Sequence, residues 1–197
     1  MKVLVACEFS GRVRDAFIAK GHDSWSVDLL DTDSPHSNHI ISDVLPIAYN
    51  GSWDLMIAHP PCTYLSNSGA RWLYKGGKGT EPDPIRWKNM EEGAEFFFKL
   101  LNAPINKIAV ENPIQHGHAQ KIINKKYDQI IQPWQFGVGE TKSTCLWLKN
   151  LPKLISTEIV EGRIPAIHRM PGGKNQGKKR SITPLGFALA MADQWGK

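Results

Sequence analysis

The chain opens with Lys2-Val3-Leu4-Val5-Ala6-Cys7, a short and almost wholly apolar run. Such a run, too short for a helix, is the pattern of a strand buried on both faces of a parallel sheet. It breaks at Glu8-Phe9-Ser10-Gly11, after which Val13, Ala16, Phe17 and Lys20 recur at helical spacing and Gly21 offers a C-terminal stop. Ser24 to Leu29 predicts a second strand that carries Asp28 near its end. Ile40-Ile41-Ser42-Asp43 predicts a short third, and Trp53 to Ala58 a fourth that runs into His59-Pro60-Pro61-Cys62.

From Asn67 to Pro84 the periodicity lapses among Gly69, Gly76, Gly77, Gly79, Pro82 and Pro84. Loops of this length inside a compact domain are uncommon and usually functional. Ile85 to Leu101 predicts a helix with Met90, Ala94, Phe97 and Leu101 on one face, and Lys107 to Val110 a fifth strand that ends in Glu111-Asn112-Pro113. A helix around His118 to Asn124, strands at Gln129 to Gln132 and Thr144 to Leu148, and a final helix from Leu185 to Trp195 complete the pattern. Residues 152 to 180, with Pro152, Pro165, Pro171, Gly172, Gly173 and Gly177, read as a basic, loop-rich segment. There is no internal repeat. Strands alternating with helices at this spacing predict an α/β fold built on a mostly parallel sheet with helices on both faces.

At 197 residues the chain has room for one domain with a full core. With 41% hydrophobic and 22% charged residues it has the composition of a folded globular protein. No stretch approaches the roughly 20 apolar residues of a membrane span, and the apolar start is too short for a secretory core, so a cytoplasmic setting of phage or bacterial type is expected. Three cysteines, Cys7, Cys62 and Cys145, are odd in number and form no CxxC, which argues against a disulfide framework and a metal cluster. Lys and Arg exceed Asp and Glu by 24 to 19, a net +5 that permits an anionic partner.

Ligands of open α/β sheets bind at the carboxyl ends of the strands. Here those ends carry Phe9 and Gly11, then Asp28, Asp43, Pro60-Pro61-Cys62 and Glu111-Asn112. Phe9 can stack on a purine, Gly11 admits close backbone approach, Asp28 is placed for ribose hydroxyls and Asp43 for an exocyclic amine. Asp residues at strand ends also serve simply as helix caps, and a glycine there as a turn residue. Cys7 and Cys145 sit in apolar strand runs, as small buried hydrophobes do. Cys62, after two prolines, is expected to be exposed and nucleophilic if its pKa is lowered. Glu111 at the next strand end would deliver a proton if its pKa is raised.

In this order the pieces resemble the DNA cytosine-5 methyltransferases over nearly the whole chain. Ala6-Cys7-Glu8-Phe9-Ser10-Gly11 resembles that family's cofactor motif, Ser42-Asp43-Val44 its Gly-Asp-Ile segment, and Pro60-Pro61-Cys62-Thr63 its Pro-Pro-Cys-Gln nucleophile segment. Val110-Glu111-Asn112-Pro113 is similar to its Glu-Asn-Val motif. The stretch Phe136 to Thr144 is similar to Tyr-Gly-Val-Pro-Gln-x-Arg-x-Arg, and Thr183-Pro184 to its last motif. The resemblance implies a Rossmann-like fold that uses S-adenosylmethionine, bound by Phe9, Ser10, Gly11, Asp28, Asp43 and Pro60. It implies that Cys62 attacks C6 of a flipped-out cytosine, that Glu111 serves N3, that Asn112 orients the catalytic loops and that Lys142 keeps one positive charge of the Gln-x-Arg-x-Arg segment. Pro61, Ser66 and Thr144 would face the target. The departures are Arg12, Val13 and Arg14 where the family continues with glycines, Thr63 for Gln, and Thr144 for the second Arg. Where the family inserts a target-recognition domain, only residues 152 to 180 are present. Their Arg163, His168, Arg169, Lys174, Lys178, Lys179 and Arg180 would contact phosphate.

The implied partner is DNA or a cytosine nucleotide, with room for a separate specificity partner and no role for a metal or membrane. The same Cys/Glu chemistry on a free nucleotide or single-stranded DNA with a different one-carbon donor is an alternative. So is a catalytically silent relative that only binds nucleic acid.

Overall fold

A computed structural model describes residues 1–169 and 176–197, without the side chains of Ile167 and His168. Seven strands form one sheet: β1 (Lys2–Ala6), β2 (Asp23–Asp28), β3 (His39–Ile41), β4 (Leu55–Ala58), β5 (Lys107–Pro113), β6 (Gln129–Ile131) and β7 (Thr144–Lys149). Their order is β3-β2-β1-β4-β5-β7-β6. All neighbours are parallel except β7, which runs antiparallel to both β5 and β6. The strand order therefore reverses between β1 and β4, the place where open α/β sheets leave a crevice for ligand.

The helices are α1 (Arg12–Ala19), α2 (Val44–Asn50), α3 (Pro84–Leu101), α4 (Gly117–Ile123), α5 (Ala166–Arg169), α6 (Gln176–Ser181) and α7 (Leu185–Trp195). Alternation along the strands sends successive side chains to opposite faces. Val3, Val5, Leu55 and Ile57 pack with Phe17 of α1 and with Phe187, Met191 and Trp195 of α7. Leu4, Ala6, Met56 and Ala58 pack with Met90, Ala94 and Phe97 of α3 and with Ala119 and Ile123 of α4. Full burial of one such large apolar side chain contributes about 1.5–3 kcal/mol, so the two layers hold the sheet rigid under its edge.

Several elements differ from the sequence pattern. Val44–Asn50 is a helix, started by Asp43, whose carboxylate accepts from Leu45 N; its seven residues are too few to show a periodicity. The segment after Cys62 is not an open loop. It contains a 3₁₀ turn over Asn67–Leu73, and Tyr74 bridges to Pro82 before Asp83 caps α3. β5 continues through Asn112 to Pro113 because β7 pairs with it in register, Asn112 opposite Cys145 and Pro113 opposite Thr144. The described residues among 152 to 180 are more ordered than a loop. Phe136 bridges to Glu158 and Glu140 to Ile164, and α5 and α6 follow. Lys174 and the side chain of His168 lie outside the described residues.

Candidate functional site

The carboxyl edge of the sheet brings together the ends of β1, β2, β3, β4 and β5, with the start of β7 beside them. At its centre the chain leaves β4 through His59-Pro60-Pro61-Cys62. The backbone of this turn is fixed from two sides: His59 N donates to the carbonyl of Ala6 at 2.9 Å, and the buried Asn112 Nδ2 donates to the carbonyl of Pro60 at 2.9 Å. Cys62 closes the turn by accepting from Leu65 N and Ser66 N at 3.1 and 3.0 Å. Asn112 therefore ties the β5 end to the β4 turn that carries Cys62. Its Oδ1 is buried with no hydrogen-bond partner.

Glu111, one residue earlier, lies against His59, with Oε2 3.1 Å from Nδ1. Burial acts to raise the Glu111 carboxyl. The hydrogen bond and charge of His59, the charge of Lys142 and a hydrogen bond from Thr144 outweigh it and hold the group below its ordinary value. This corrects the expectation of a raised Glu111: the positive groups gathered around it stabilise the carboxylate. Cys62 departs from expectation in the other direction. It is partly buried, and burial together with the Glu111 charge raises its thiol, while Lys142, a hydrogen bond from its own backbone and Arg180 pull it down less strongly. In the resting site the carboxyl is ionised and the thiol protonated.

The other two cysteines differ from Cys62. Cys145 is buried in β7 and pushed up to about 11 by burial and by Glu111. Cys7 follows β1 with φ 58 and is pushed up to about 12 by burial and by the charges of Asp28 and Asp43. Those two carboxylates thus border the β1 end, although each has one oxygen engaged: Asp28 accepts from Leu30 N at 2.9 Å and Asp43 from Leu45 N at 3.0 Å. Beside them, Leu29 is 74% and Ile41 61% exposed, and Ile41 is the register partner of Asp28. Exposed aliphatic residues beside a strand-end acid are what a nucleoside slot requires. Sequence reading passes them over because each sits at the end of a run that looks like core.

At the β1–α1 turn, the buried Glu8 takes the capping role. It accepts from Val13 N at 2.7 Å, Arg14 N at 3.2 Å and Ser10 Oγ at 3.3 Å. Gly11 has φ +73, and a Cβ there would meet Arg14 Nη2 at 2.5 Å and Ser34 Cβ at 2.6 Å. Glycine is thus required by close approach of the protein's own side chains as well as by its conformation. Arg14, wholly buried, donates to Asp15 at 2.8 Å, Ser26 at 2.9 Å and Thr32 at 3.4 Å, and its Nη2 is unpartnered. Where the glycine motif departs from the resembled family, an arginine pins the β2–β3 loop beneath the turn.

Of the remaining predicted residues, Thr144 and Ser66 are buried. Thr144 donates to the carbonyl of Lys142 at 3.2 Å, and Ser66 Oγ is 2.9 Å from Ser68 Oγ. Lys142 Nζ donates to the carbonyl of Arg180 at 2.9 Å. Arg163 stacks on Trp134 at 3.7 Å, while Arg169 and Lys179 are exposed. Lys178 is not free for phosphate: its ammonium pairs with Asp33 at 2.9 Å and lies 4.7 Å from the centre of the Phe9 ring. His59 is the participant the sequence pattern misses, and Lys178, expected at phosphate, is found instead on Asp33 and Phe9. His59 precedes the recognisable turn, and the position of Lys178 depends on how a remote segment folds back.

A hollow of about 190 Å³ lined by Glu95, Phe98, Lys99 and Ile122 lies on the α3–α4 side, away from this edge. No group of three or more His, Cys, Asp or Glu among the described residues could hold a metal ion. No helix among them is long and apolar enough to cross a membrane.

No protein-family model matches the sequence, and no curated protein matches it. Solved structures do share the fold. One, described as a DNA modification methyltransferase encoded within a prophage (E. coli), superposes with a TM-score of 0.50 at 14% identity, over 81% of this chain and 51% of that one. The Entamoeba histolytica methyltransferase EhMeth matches with a TM-score of 0.44 at 14% identity, over 80% of this chain and 57% of that one. The chain thus spans little more than half the length of these structures. The fold is a Rossmann-like α/β fold, as the strand order shows, and it is shared with the first of these structures.

Proposed function

We propose that this protein transfers a methyl group from S-adenosylmethionine to C5 of cytosine in DNA through a covalent adduct between Cys62 and C6. The observation that carries this reading is the Asn112–Pro60 hydrogen bond together with the His59–Glu111 contact. These two contacts lock a thiol-bearing turn and a carboxylate side by side at the ends of adjacent strands, where a binding module needs neither. The prophage DNA modification methyltransferase of like fold agrees with DNA as the substrate.

The cofactor fits the edge: Asp28 and Asp43 keep an oxygen each for ribose and amine, and Leu29 and Ile41 offer apolar surface for adenine. S-adenosylmethionine, when bound, supplies an electrophilic methyl group. The chain's own residues prepare the base to receive it. The Cys62 thiol gives up its proton, and its sulfur electron pair forms the bond to C6. The C5–C6 pair is pushed onto the ring, and Glu111, now protonated, hydrogen-bonds N3 and stabilises the negative charge that develops. At rest both pKa directions keep the proton on sulfur, so its transfer from Cys62 to Glu111 is uphill until the sulfur's electron pair bonds to C6 and charge develops at N3; the transfer then also removes the negative charge that opposed the thiolate. After transfer the C5 proton is lost to solvent, the C5=C6 bond reforms and the thiolate leaves. His59 orients the carboxylate, Asn112 holds the thiol turn, and Lys142 offsets the negative charge. Arg163, Arg169 and Lys179 supply phosphate contacts, with DNA sequence specificity left to a separate partner.

The test is incubation with labelled S-adenosylmethionine and duplex DNA, single-stranded DNA or dCMP, beside Cys62→Ser. The expected result is label at cytosine C5 with the wild type alone, and a trapped adduct on 5-fluorocytosine DNA. Absence of transfer to all three substrates, with no cofactor binding by calorimetry, overturns the reading.

A further inference from the structure

Lys178 sits where a ligand would be expected. Its ammonium is held between an aromatic face and a carboxylate, 4.7 Å from the Phe9 ring centre and 2.9 Å from Asp33 Oδ1. Neither partner is placed by chance. Asp33 N donates to the carbonyl of Phe9 at 3.0 Å, so the acid is hung on the same residue that offers the ring. The loop carrying Asp33 is fastened again by Ser34 Oγ to Asp15 at 2.6 Å and by Arg14 to Thr32. Phe9 is only 6% exposed. The helix that delivers Lys178 is held over the edge by Lys142, which donates to the Arg180 carbonyl at 2.9 Å, and by Arg12, which donates to the Thr183 carbonyl at 3.1 Å.

An aromatic face closed by a carboxylate is a site for an organic cation. We infer that Phe9 and Asp33 form a cation subsite for the positively charged methionyl end of S-adenosylmethionine, and that Lys178 is the chain's own occupant of that subsite, displaced when the cofactor binds. The inference rests on the cofactor reading above and adds to it a subsite and an internal competitor. Lys178 is partly exposed, with 43% of its side chain open to solvent, so the lysine can swing out to water at little cost.

The experiment is calorimetric binding of S-adenosylmethionine and of 5′-methylthioadenosine, which keeps the nucleoside but lacks both cationic groups. The proteins are the wild type, Lys178→Met and Lys178→Met/Asp33→Asn, with thermal unfolding as the folding control. Removing the competitor is expected to tighten S-adenosylmethionine about three- to tenfold while methylthioadenosine changes by less than about twofold. Adding Asp33→Asn is expected to undo that gain. Equal S-adenosylmethionine affinity for wild type and Lys178→Met, an equal gain for the neutral nucleoside, or indifference to Asp33→Asn each overturns the subsite while leaving the methyltransferase reading intact. If S-adenosylmethionine binds none of the three, that reading falls and the subsite with it.

Discussion

The two halves of the sheet edge are built on different principles. On the β4–β5–β7 side, the groups proposed for chemistry are held by backbone register and short buried bonds. Asn112 donates to the Pro60 carbonyl, Glu111 faces His59, and Thr144 enters β7 opposite Pro113. On the β1–β2–β3 side, the corresponding space is occupied by the protein's own side chains, with Arg14 and Ser34 packed against Gly11 and Lys178 against Phe9. One half is ready-made and the other is closed on itself. A reaction centre tolerates little displacement, because misplaced reacting atoms lose rate steeply. A cofactor cradle can be covered by a flexible lysine and reopen.

The largest break in this contrast is expected from Cys62→Ser. It should leave folding intact and lower methyl transfer at least about 10³-fold, read as label incorporated into cytosine, since nothing else on the edge replaces the nucleophile. Glu111→Gln is expected to cost about 10²- to 10³-fold in the same assay by removing the proton donor to N3. The same substitution separates the two charges at the site. Glu111 helps to raise the Cys62 thiol, so in the wild type alkylation of Cys62 by iodoacetamide should climb with pH toward values above those of an ordinary thiol. Glu111→Gln should shift that profile to lower pH, and an unmoved profile would show that the two groups do not interact.

On the other half the expected effects are on stability. Arg14→Met removes a guanidinium that joins α1 to β2 and the following loop, leaving Asp15 and Ser26 without it. A loss of about 2–4 kcal/mol is expected in urea unfolding. If that variant is instead as stable as the wild type, Arg14 is not the pin that closes this half. The smallest effect belongs to the exposed Lys179 and Arg169. Removing either should lower DNA affinity only severalfold and reduce the salt slope by about one.

Much of this edge was legible along the chain because strands end where apolar runs end. Cys62, Glu111, Asn112, Asp28 and Asp43 all follow such runs, so their common edge follows from the parallel order alone. The protonation states were not legible, since whether Glu111 rises or falls depends on His59, Lys142 and Thr144, which are 52, 31 and 33 positions away. Nor was α2, whose seven residues bury Val44 and Ala48 and pack Leu45 and Ile47 in part, or the order among the described residues of 152 to 180, where bridges to Phe136 and Glu140 replace any local signal.

The sequence by itself determined the sheet, the two helical layers and the residues that reach the carboxyl edge, because local hydrophobic period dictates which segments are strands and which faces are buried. Only the tertiary structure decided how those residues stand toward one another: that β7 runs against its neighbours and extends β5 through Asn112, that Arg14 takes the space around the lone glycine, and that Lys178 returns from far along the chain to Phe9 and Asp33. Those outcomes depend on distances between segments remote in sequence, which no local pattern encodes.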